Sequence, residues 1–392
     1  MIINSFLDND LYKFTTMHAI LKKFPAAWVR YEFINRGNTA FPEGFAEKLR
    51  EEVKSMERLY LSEIEEAFIT QRCYFFPPNF IDMLRNFRYN PREVHITQNG
   101  GELEVYIEGL WYRTVLWEVP IMAIISELYF KETNQHPDNK WQDRTIEKAK
   151  RLSNIGAKFS EFGTRRRFSG EIHNNVVELL KSHSNGSFTG TSNVLFAMQH
   201  NTSVIGTHPH EWFMYHGAHF GYRIANEMAL ENWSEVYQGA LGIALTDTYT
   251  SKNFFQQFKL KHAKLFDGVR WDSGDPIEFT DNVVRHYEAL RIDPKTKTII
   301  YSDSLNIETV ERIEKHAKDK IRTAYGIGTY FTNDVGVKPL NIVIKLFQVR
   351  PRDYDTPIPA IKLSDVDGKH SGDLEEIEIC KRIICKNNSL VK

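Results

Sequence analysis

Histidine side chains, which can act as nucleophiles or metal ligands, are concentrated in one short stretch of the sequence. His208 and His210 lie two residues apart, Glu211 adjoins the second, and His216 and His219 follow. A His-x-His pair at the end of a barrel strand is typical of metal-dependent hydrolases. A single histidine can instead serve as a nucleophile or a phosphoryl carrier. The sequence offers no clear later histidine at a strand end, which favours the second interpretation.

Three consecutive arginines, Arg165 to Arg167, follow the pair Gly163-Thr164. Guanidinium groups bind phosphate and pyrophosphate well because each can donate two parallel hydrogen bonds. A solvated basic turn is the alternative. Because the triplet follows a glycine at a predicted strand end, the two interpretations have about equal weight.

Gly326, Gly328 and Thr329 form a short glycine turn late in the chain. Missing side chains let backbone N–H groups approach anionic oxygens, so such a turn can hold a phosphate. The turn lacks the GxGxxG spacing and the Walker lysine, which excludes a dinucleotide fingerprint and a P-loop. A tight turn without a ligand is the alternative, but a position late in a barrel favours phosphate.

Carboxylates follow three further apolar runs, at Asp247, Asp272 and Asp303, and Arg270 lies close to the second. Near phosphates, carboxylates usually bind ribose hydroxyls or hold Mg²⁺ through its waters. The turn that begins at Asp272 could equally be an ordinary Asx-type loop. Three acids at separate strand ends favour a binding role.

The elements that must position these residues are short β-prone runs, most of them followed by helix-like segments. The runs end at Gly190, Thr207, Asp247, Asp272, Asp303 and Gly328, which are 17 to 40 residues apart. A parallel strand with its crossover helix needs about that much chain, although the first gap is short. We therefore predict an α/β fold with an irregular (β/α) barrel and its chemistry at the C-terminal strand ends. An open doubly wound sheet is the alternative.

The region before the predicted barrel mixes element types. The patterns predict a helix over residues 8–24, a strand over 28–34, a hairpin over 93–110 and helical structure over 112–130. A β-rich run at residues 339–347 could return to this region or extend the barrel. A chain of 392 residues exceeds a single core, so two domains or a barrel with an added layer are expected.

Composition limits the class of partner. The formal net charge is -1 and charged residues make up 26%, which gives no basic surface for nucleic acid or membranes. Cys73, Cys380 and Cys385 show no metal-type spacing. No apolar run approaches the roughly 20 residues of a membrane span, and the acidic N-terminal stretch is unlike a signal peptide. We expect a soluble, cytoplasmic protein with small-molecule partners.

Taken together, the motifs resemble those of nicotinate phosphoribosyltransferases over nearly the whole chain. They are LDNDLYKFTTMHAI near the start, FINRG (33–37), EFGTRRRFS (161–169), GTSN (190–193), GTHPHEW (206–212), RWDSGDP (270–276), YSDSLN (301–306), YGIGT (325–329) and KPLNIVIKL (338–346). The resemblance implies an enzyme of NAD biosynthesis that joins nicotinate to phosphoribosyl pyrophosphate and uses ATP through a phosphohistidine. A metal-dependent amidohydrolase-like barrel and a non-catalytic phosphosugar-binding barrel are the alternatives.

The resemblance also implies an architecture. An α/β sandwich would be formed by residues 1–125 together with about 340–392, and an irregular barrel by residues 126–339. It further implies a homodimer with shared active sites, with ATP and Mg²⁺ taking part in the reaction.

Residue roles follow from the same resemblance. Phe162 would stack on the pyridine ring of nicotinate, with Tyr12 of the neighbouring subunit on its other face. His210 would accept the phosphoryl group, and Asp272 and Asp303 would bind ribose hydroxyls or Mg²⁺. Arg165 and Arg270 would hold the phosphoribosyl donor and the carboxylate region. The glycine turn, Gly326, Gly328 and Thr329, would bind the 5′-phosphate. Gly163, Thr164 and Ser192 would also belong to the substrate-binding site.

Ser192 bears on the choice of substrate. Related nicotinamide-using enzymes carry an acid at this position, which would repel the carboxylate of nicotinate. A hydroxyl can donate to that carboxylate, which contributes about 1.5–3 kcal/mol, or roughly ten- to a hundredfold. The sequence therefore favours nicotinate.

His208-Pro209 departs from the usual family motif and leaves open whether His208 binds phosphate or packs.

Overall fold

A computed structural model describes residues 1–352, 355–366 and 368–389. Its α-helices are α1 (Leu11–Lys23), α2 (Phe45–Ser55), α3 (Glu63–Arg72), α4 (Pro78–Asn86), α5 (Trp111–Thr114), α6 (Glu118–Glu132), α7 (Trp141–Asn154), α8 (Gly170–His183), α9 (Val194–Gln199), α10 (His210–Phe220), α11 (Ala225–Tyr237), α12 (Ser251–Gln257), α13 (Leu260–Leu265), α14 (Pro276–Ala289), α15 (Ile307–Ala317), α16 (Thr329–Thr332) and α17 (Leu374–Ser389). Its strands are β1 (Trp28–Asn35), β2 (Val94–Asn99), β3 (Glu102–Leu110), β4 (Phe159–Glu161), β5 (Phe188–Thr191), β6 (Ile243–Leu245), β7 (Gly268–Trp271), β8 (Thr298–Tyr301), β9 (Arg322–Ile327), β10 (Ile342–Arg350) and β11 (Ile358–Pro359).

One sheet is antiparallel and has the order β11-β10-β1-β3-β2. Trp28 in β1 faces Arg350 of β10 on one side and Leu110 of β3 on the other. The predicted strand, helix and hairpin near the start of the chain are confirmed, with the hairpin turning at Gly100 and Gly101. The β-rich run after residue 339 becomes β10 and pairs with β1, so it returns to the first sheet.

The second sheet is parallel throughout, in the order β5-β4-β9-β8-β7-β6. Helices connect its successive strands, as parallel pairing requires. All of its C-terminal strand ends therefore lie along one edge. The prediction of parallel strands with polar residues at their ends is confirmed for the runs that end at Gly190, Asp247, Asp272, Asp303 and Gly328.

One predicted strand is wrong. The run that ends at Thr207 forms a single parallel bridge, between Val204 and Thr191, and no strand. A β-carbon at Gly206 would lie 3.2 Å from the side chain of Leu11, so beyond this bridge the chain lies against α1. Pro209, which lacks an N–H donor, then precedes α10. The sixth parallel strand is instead β4, just before the arginine triplet.

The segment after β11 crosses to the parallel sheet. The backbone N–H of Leu363 donates to the carbonyl of Thr248, 2.9 Å away, just beyond β6. Side chains from this segment and α17 then form a small apolar cluster with Tyr222 and Tyr249. The described part of the chain contains no helix of the length and apolar character that membrane crossing requires.

Candidate active site

A cavity of about 480 Å³ lies where the C-terminal ends of the parallel strands face β10. The sequence predicted eight of the residues that line it: Tyr12, Phe162, Arg165, Ser192, His210, Arg270, Asp272 and Asp303. β10 contributes the opposite wall through residues 343–346. Cavities of this size suit small-molecule ligands.

The glycine turn is not among the residues that line this cavity, and its role as a phosphate site stays a prediction. A β-carbon at Gly326 would lie 2.4 Å from the ring of Phe162, and one at Gly328 would lie 3.1 Å from the Phe162 carbonyl oxygen. The absent side chains at these two positions therefore make room for Phe162. Thr329 begins the short helix α16 behind this contact.

Gly163 and Thr164 also lie outside the cavity lining. A β-carbon at Gly163 would lie 2.2 Å from the hydroxyl of Thr332, so close packing requires glycine here. The backbone N–H of Gly163 donates to Glu161, and the Thr164 hydroxyl donates to Asp10 at 2.7 Å. Both residues fix the loop that carries Arg165.

The arginine triplet divides between the cavity and the core. Arg165 and Arg166 line the cavity, and the side chain of Arg165 is 44% exposed. Burial beside Arg165 and Arg36 lowers the pKa of Arg166 to about 10. Arg167 is fully buried and donates to both carboxylate oxygens of Asp8, at 2.7 and 2.8 Å. The interpretation of three phosphate-binding forks at one place is therefore wrong for Arg167, which anchors the N-terminal segment.

His210 is the first residue of α10, and its imidazole faces the cavity. Nδ1 lies 2.9 Å from the hydroxyl of Thr248. Nε2 lies 2.9 Å from Asp272 Oδ2 and accepts a hydrogen bond from Lys362 Nζ at the same distance. Burial, together with the Lys362 ammonium, lowers the pKa of His210 to about 4. The ring is therefore neutral at physiological pH and can act as a nucleophile.

Two carboxylates flank His210. Burial alone would raise the pKa of Asp272, but the Arg270 guanidinium at 2.7 Å and the contact with His210 hold it well below its usual range. Asp247 is buried and pairs with Lys362 at 3.0 Å. Its Oδ1 lies 3.7 Å from His210 Nε2 and has no hydrogen-bond partner among the described residues.

These three side chains could hold a cation. Donor atoms of His210, Asp247 and Asp272 lie within 4.8 Å of one another. Carboxylate oxygens are the ligands that Mg²⁺ prefers, and the unpartnered Asp247 oxygen is available to one. Asp303, which we also predicted as a ligand, is paired with Lys369 at 2.6 Å. The donor set therefore fits Mg²⁺ better at Asp247 and Asp272.

His208 is part of the core. Its ring is fully buried and packs against Trp233, Phe213 and Phe266. Burial lowers its pKa to about 3, so the ring is neutral. Neither ring nitrogen has a hydrogen-bond partner among the described residues. Of the two open alternatives, packing is therefore the role that the structure supports, and the metal pair with His210 does not form.

Ser192 contacts an acid that we did not predict. Its hydroxyl donates to Asp10 Oδ1 at 2.8 Å, the same oxygen that accepts from Thr164. Asp10 lines the cavity, and burial raises its pKa. The hydroxyl of Ser192 is therefore already engaged, and it is not free to donate to a substrate carboxylate without releasing Asp10.

Tyr12 lines the cavity of its own chain, whereas the family resemblance implied that it would reach the site from a neighbouring subunit. The backbone explains this position. The N–H of Leu11 donates to the carbonyl of Ser192 at 2.8 Å, and Gly206 packs against the start of α1. The first turn of α1 is thereby fixed beside the strand end that carries Ser192.

Sequence reasoning missed several charged residues of the cavity. The bases are Arg36, Lys345, Lys362 and Lys369, and the acids are Asp10, Glu118 and Glu211. Burial, with Lys362 and Arg36 nearby, lowers the pKa of Lys345 to about 7. Arg36 and Lys345 lie inside two of the quoted motifs, FINRG and KPLNIVIKL, which could have identified them. Lys362 and Lys369 lie outside all of the quoted motifs.

Family profiles match most of the chain. Residues 157–384 match the nicotinate phosphoribosyltransferase (NAPRTase) family, and residues 7–126 match its N-terminal domain. The chain is 52% identical to a nicotinate phosphoribosyltransferase from Chromohalobacter salexigens, over 98% of each protein. It is 49% identical to another from Desulforapulum autotrophicum, over 98% of this chain and 99% of that protein.

Solved structures agree with these matches. The crystal structure of nicotinate phosphoribosyltransferase from Porphyromonas gingivalis is similar to this chain with a TM-score of 0.96 and 46% identity, over 98% of this chain and 100% of that one. The structure of the Vibrio cholerae protein gives a TM-score of 0.92 at 33% identity, over 98% and 94%. The matched 98% of this chain includes both sheets.

Proposed function

Because the chain belongs to the nicotinate phosphoribosyltransferase family and is an enzyme of that activity, we propose that it couples the transfer to ATP through a phosphohistidine at His210. The overall reaction is nicotinate, phosphoribosyl pyrophosphate, ATP and water to nicotinate mononucleotide, pyrophosphate, ADP and phosphate. The observation that carries this proposal is the neutral imidazole of His210, held at the cavity between Lys362 and Asp272.

Nicotinate binds at the end of the cavity lined by Phe162, Tyr12 and Ser192. Aromatic rings stack favourably on a pyridine ring, and the glycines behind Phe162 fix its position. Arg165 carries an exposed guanidinium at this end, which supports its role in holding the substrate carboxylate or the donor.

The pyridine nitrogen has its lone pair at neutral pH, so the transfer needs no general base. It attacks C1 of the donor as the bond from C1 to the pyrophosphate oxygen breaks. Arg165 and Arg270 stabilise the negative charge that develops on the leaving group. Asp303 is placed at the same cavity to accept hydrogen bonds from the ribose hydroxyls. The protein contributes mainly position and charge.

Phosphorylation takes place at Nε2 of His210. The nitrogen lone pair attacks the γ-phosphorus, the bond to the β-phosphate oxygen breaks, and ADP leaves. Nδ1 keeps its proton and donates it in a hydrogen bond to Thr248, which lies 2.9 Å away. Lys362 then neutralises the phosphoryl oxygens. Water later attacks the phosphorus, the P–N bond breaks, and phosphate is released.

Asp272 and Asp247 would hold Mg²⁺ together with the substrate phosphates, with Asp303 as a further candidate from the sequence. The ion supplies neutralisation of phosphate charge. Asp272 is itself held by Arg270, at 2.7 Å.

We also propose the finer architecture: an irregular barrel over residues 126–339, and a sandwich of residues 1–125 with about 340–392. The proposal is supported by six parallel strands in the first region and by the pairing of β10 with β1 in the second. A homodimer is proposed from the family resemblance, and sedimentation equilibrium measures it.

The decisive experiment is radiophosphate labelling from ATP, with pyrophosphate release followed for nicotinate, nicotinamide and quinolinate, each with and without ATP. We expect His210→Asn to abolish labelling and ATP-stimulated turnover. His219→Asn is the matched control, because His219 lies on the same helix and is exposed. Labelling that survives in His210→Asn would overturn the assignment. Stoichiometric Zn²⁺ without pyrophosphate release would support the hydrolase alternative instead.

A further inference from the structure

Lys13 is a buried lysine on α1 that the proposed reaction does not use. Its side chain is fully buried, and its ammonium contacts two carboxylates, Glu118 of α6 and Glu211 of α10. The distance to Glu211 Oε1 is 2.5 Å. Both glutamates line the cavity, and their side chains are no more than 10% exposed. One ammonium group therefore pairs with two carboxylates, one from α6 and one from α10.

Each acid has a second partner. Glu118 also accepts from Arg165, at 3.2 Å. Glu211 also accepts from the hydroxyl of Tyr31, which in turn accepts from Trp111 Nε1 at 2.8 Å. The contacts form a continuous buried path from Arg165 through Glu118 and Lys13 to Glu211.

Glu211 directly follows His210 at the start of α10. A phosphoryl group adds nearly two negative charges at pH 7, and in a buried site that charge acts strongly on its neighbours. The added charge changes the relative strength of the two Lys13 contacts, the one with Glu211 and the one with Glu118. A change at Glu118 alters the partner that orients Arg165. The path thus links the phosphorylated residue to a residue of the donor site.

Stability of the fold does not by itself explain this buried network of charges. Buried ion pairs lose about as much in desolvation as they gain in attraction, and apolar replacements of similar volume are often equally stable. The charges are balanced, since two carboxylates face one ammonium and one guanidinium. Loss of one member changes the positions of the others.

We propose that Lys13 is a positioning residue that couples phosphorylation of His210 to the hold of Arg165 on phosphoribosyl pyrophosphate. The inference rests on the proposed function of His210. It concerns coupling between two sites and not the chemistry at either one.

The test compares Lys13→Met with the unsubstituted enzyme. KM for phosphoribosyl pyrophosphate is measured by pyrophosphate release with and without ATP, and His210 labelling is measured in parallel. We expect labelling to persist while the ratio of the two KM values falls towards one, from a coupling that in proteins typically spans about 5- to 150-fold. A purely structural role would instead lower kcat or the yield of folded protein and leave the ratio intact. An unchanged ratio overturns the proposal.

Glu211→Gln is the milder second variant, because Lys13 keeps Glu118 and the side-chain volume is conserved; it should reduce the ratio in the same direction. Lys297→Met is the matched control. Lys297 is also a buried lysine, but it donates to the backbone carbonyl of Phe266 at 2.5 Å, before the start of β8 and at the opposite end of the parallel sheet. The control should keep the ratio of the unsubstituted enzyme. Absence of labelling in the unsubstituted enzyme would overturn the function proposed for His210, and this inference with it.

Discussion

The ammonium group of Lys362 donates a hydrogen bond to Nε2 of His210 at 2.9 Å. The same ammonium pairs with Asp247 at 3.0 Å. A cation beside an imidazole disfavours its protonated form, because two like charges would then be in contact. Lys362 therefore disfavours protonation of Nε2 and neutralises Asp247.

This contact predicts the pH dependence of phosphorylation. In the unsubstituted enzyme the rate of His210 labelling should stay level as pH falls from about 8 to 5 and drop near the pKa of about 4. Lys362→Met removes the cation that lowers this pKa, so the midpoint should move to higher pH. Initial labelling rates across the pH range measure it. Lys369→Met, which removes a cation from Asp303, is the control, and an identical midpoint in Lys362→Met would contradict the electrostatic argument.

Two arginines of the triplet should affect different properties: Arg167 the stability of the fold, and Arg165 the activity. Arg167→Met leaves the buried carboxylate of Asp8 without its bidentate partner, which should lower the free energy of unfolding by about 3–5 kcal/mol. Arg165→Met should change stability little, because Arg165 is 44% exposed. It should instead reduce kcat/KM for the donor by roughly ten- to a hundredfold. Urea unfolding and steady-state kinetics are measured on both variants. A large loss of stability in Arg165→Met, with only a loss of kcat/KM in Arg167→Met, would contradict the prediction.

The contact between Ser192 and Asp10 changes what a substitution at 192 should do. Ser192→Asp places a second carboxylate beside Asp10, and two adjacent acids cannot both ionise easily. We expect kcat/KM for nicotinate to fall by roughly ten- to a hundredfold, with preference moving towards nicotinamide. Adding Asp10→Asn should recover part of the nicotinate activity, because it removes one of the charges. If the specificity ratio stays the same in both variants, neither acid acts on the substrate carboxylate.

Buried His208 predicts acid sensitivity. Its pKa is lowered from 6.5 to about 3 in the folded state, so between these values the unfolded chain binds the extra proton. Stability therefore rises with pH in this window and is lost as pH falls below 6.5. His208→Phe keeps an aromatic ring among Trp233 and Phe213 but cannot be protonated. At pH 4.5 it should be more stable than the unsubstituted protein by about 2–3 kcal/mol relative to any difference at pH 7.5. Equal pH dependence in urea unfolding would argue against burial of this ring.

The site was predictable where local pattern determines geometry. Asp247, Asp272 and Asp303 follow short β-prone runs, and parallel strands bring such ends to one edge. The run before Thr207 failed because packing of Gly206 on α1 overrides its β-propensity, whereas the strand end predicted before the arginine triplet is that of β4. The partition of the arginines was not predictable, since burial of Arg167 depends on Asp8, 159 residues away.

The remaining charged residues could not be found from local pattern at all. Lys362 meets His210 only because the chain crosses from β11 to the edge of the other sheet. Lys13 meets two glutamates from two different helices. Such pairings depend on tertiary structure, and the family motifs indicated the positions of Lys13, Arg36 and Lys345 but not their partners.

The position of Lys362 also gives the site an order of assembly during synthesis. His210 is made 152 residues before the lysine that contacts it. Until the later segment emerges and docks beside Thr248, Asp247 faces the growing chain without its cation. A nascent protein can therefore form most of both sheets before Lys362 reaches His210 and Asp247, so this part of the site is completed late in translation.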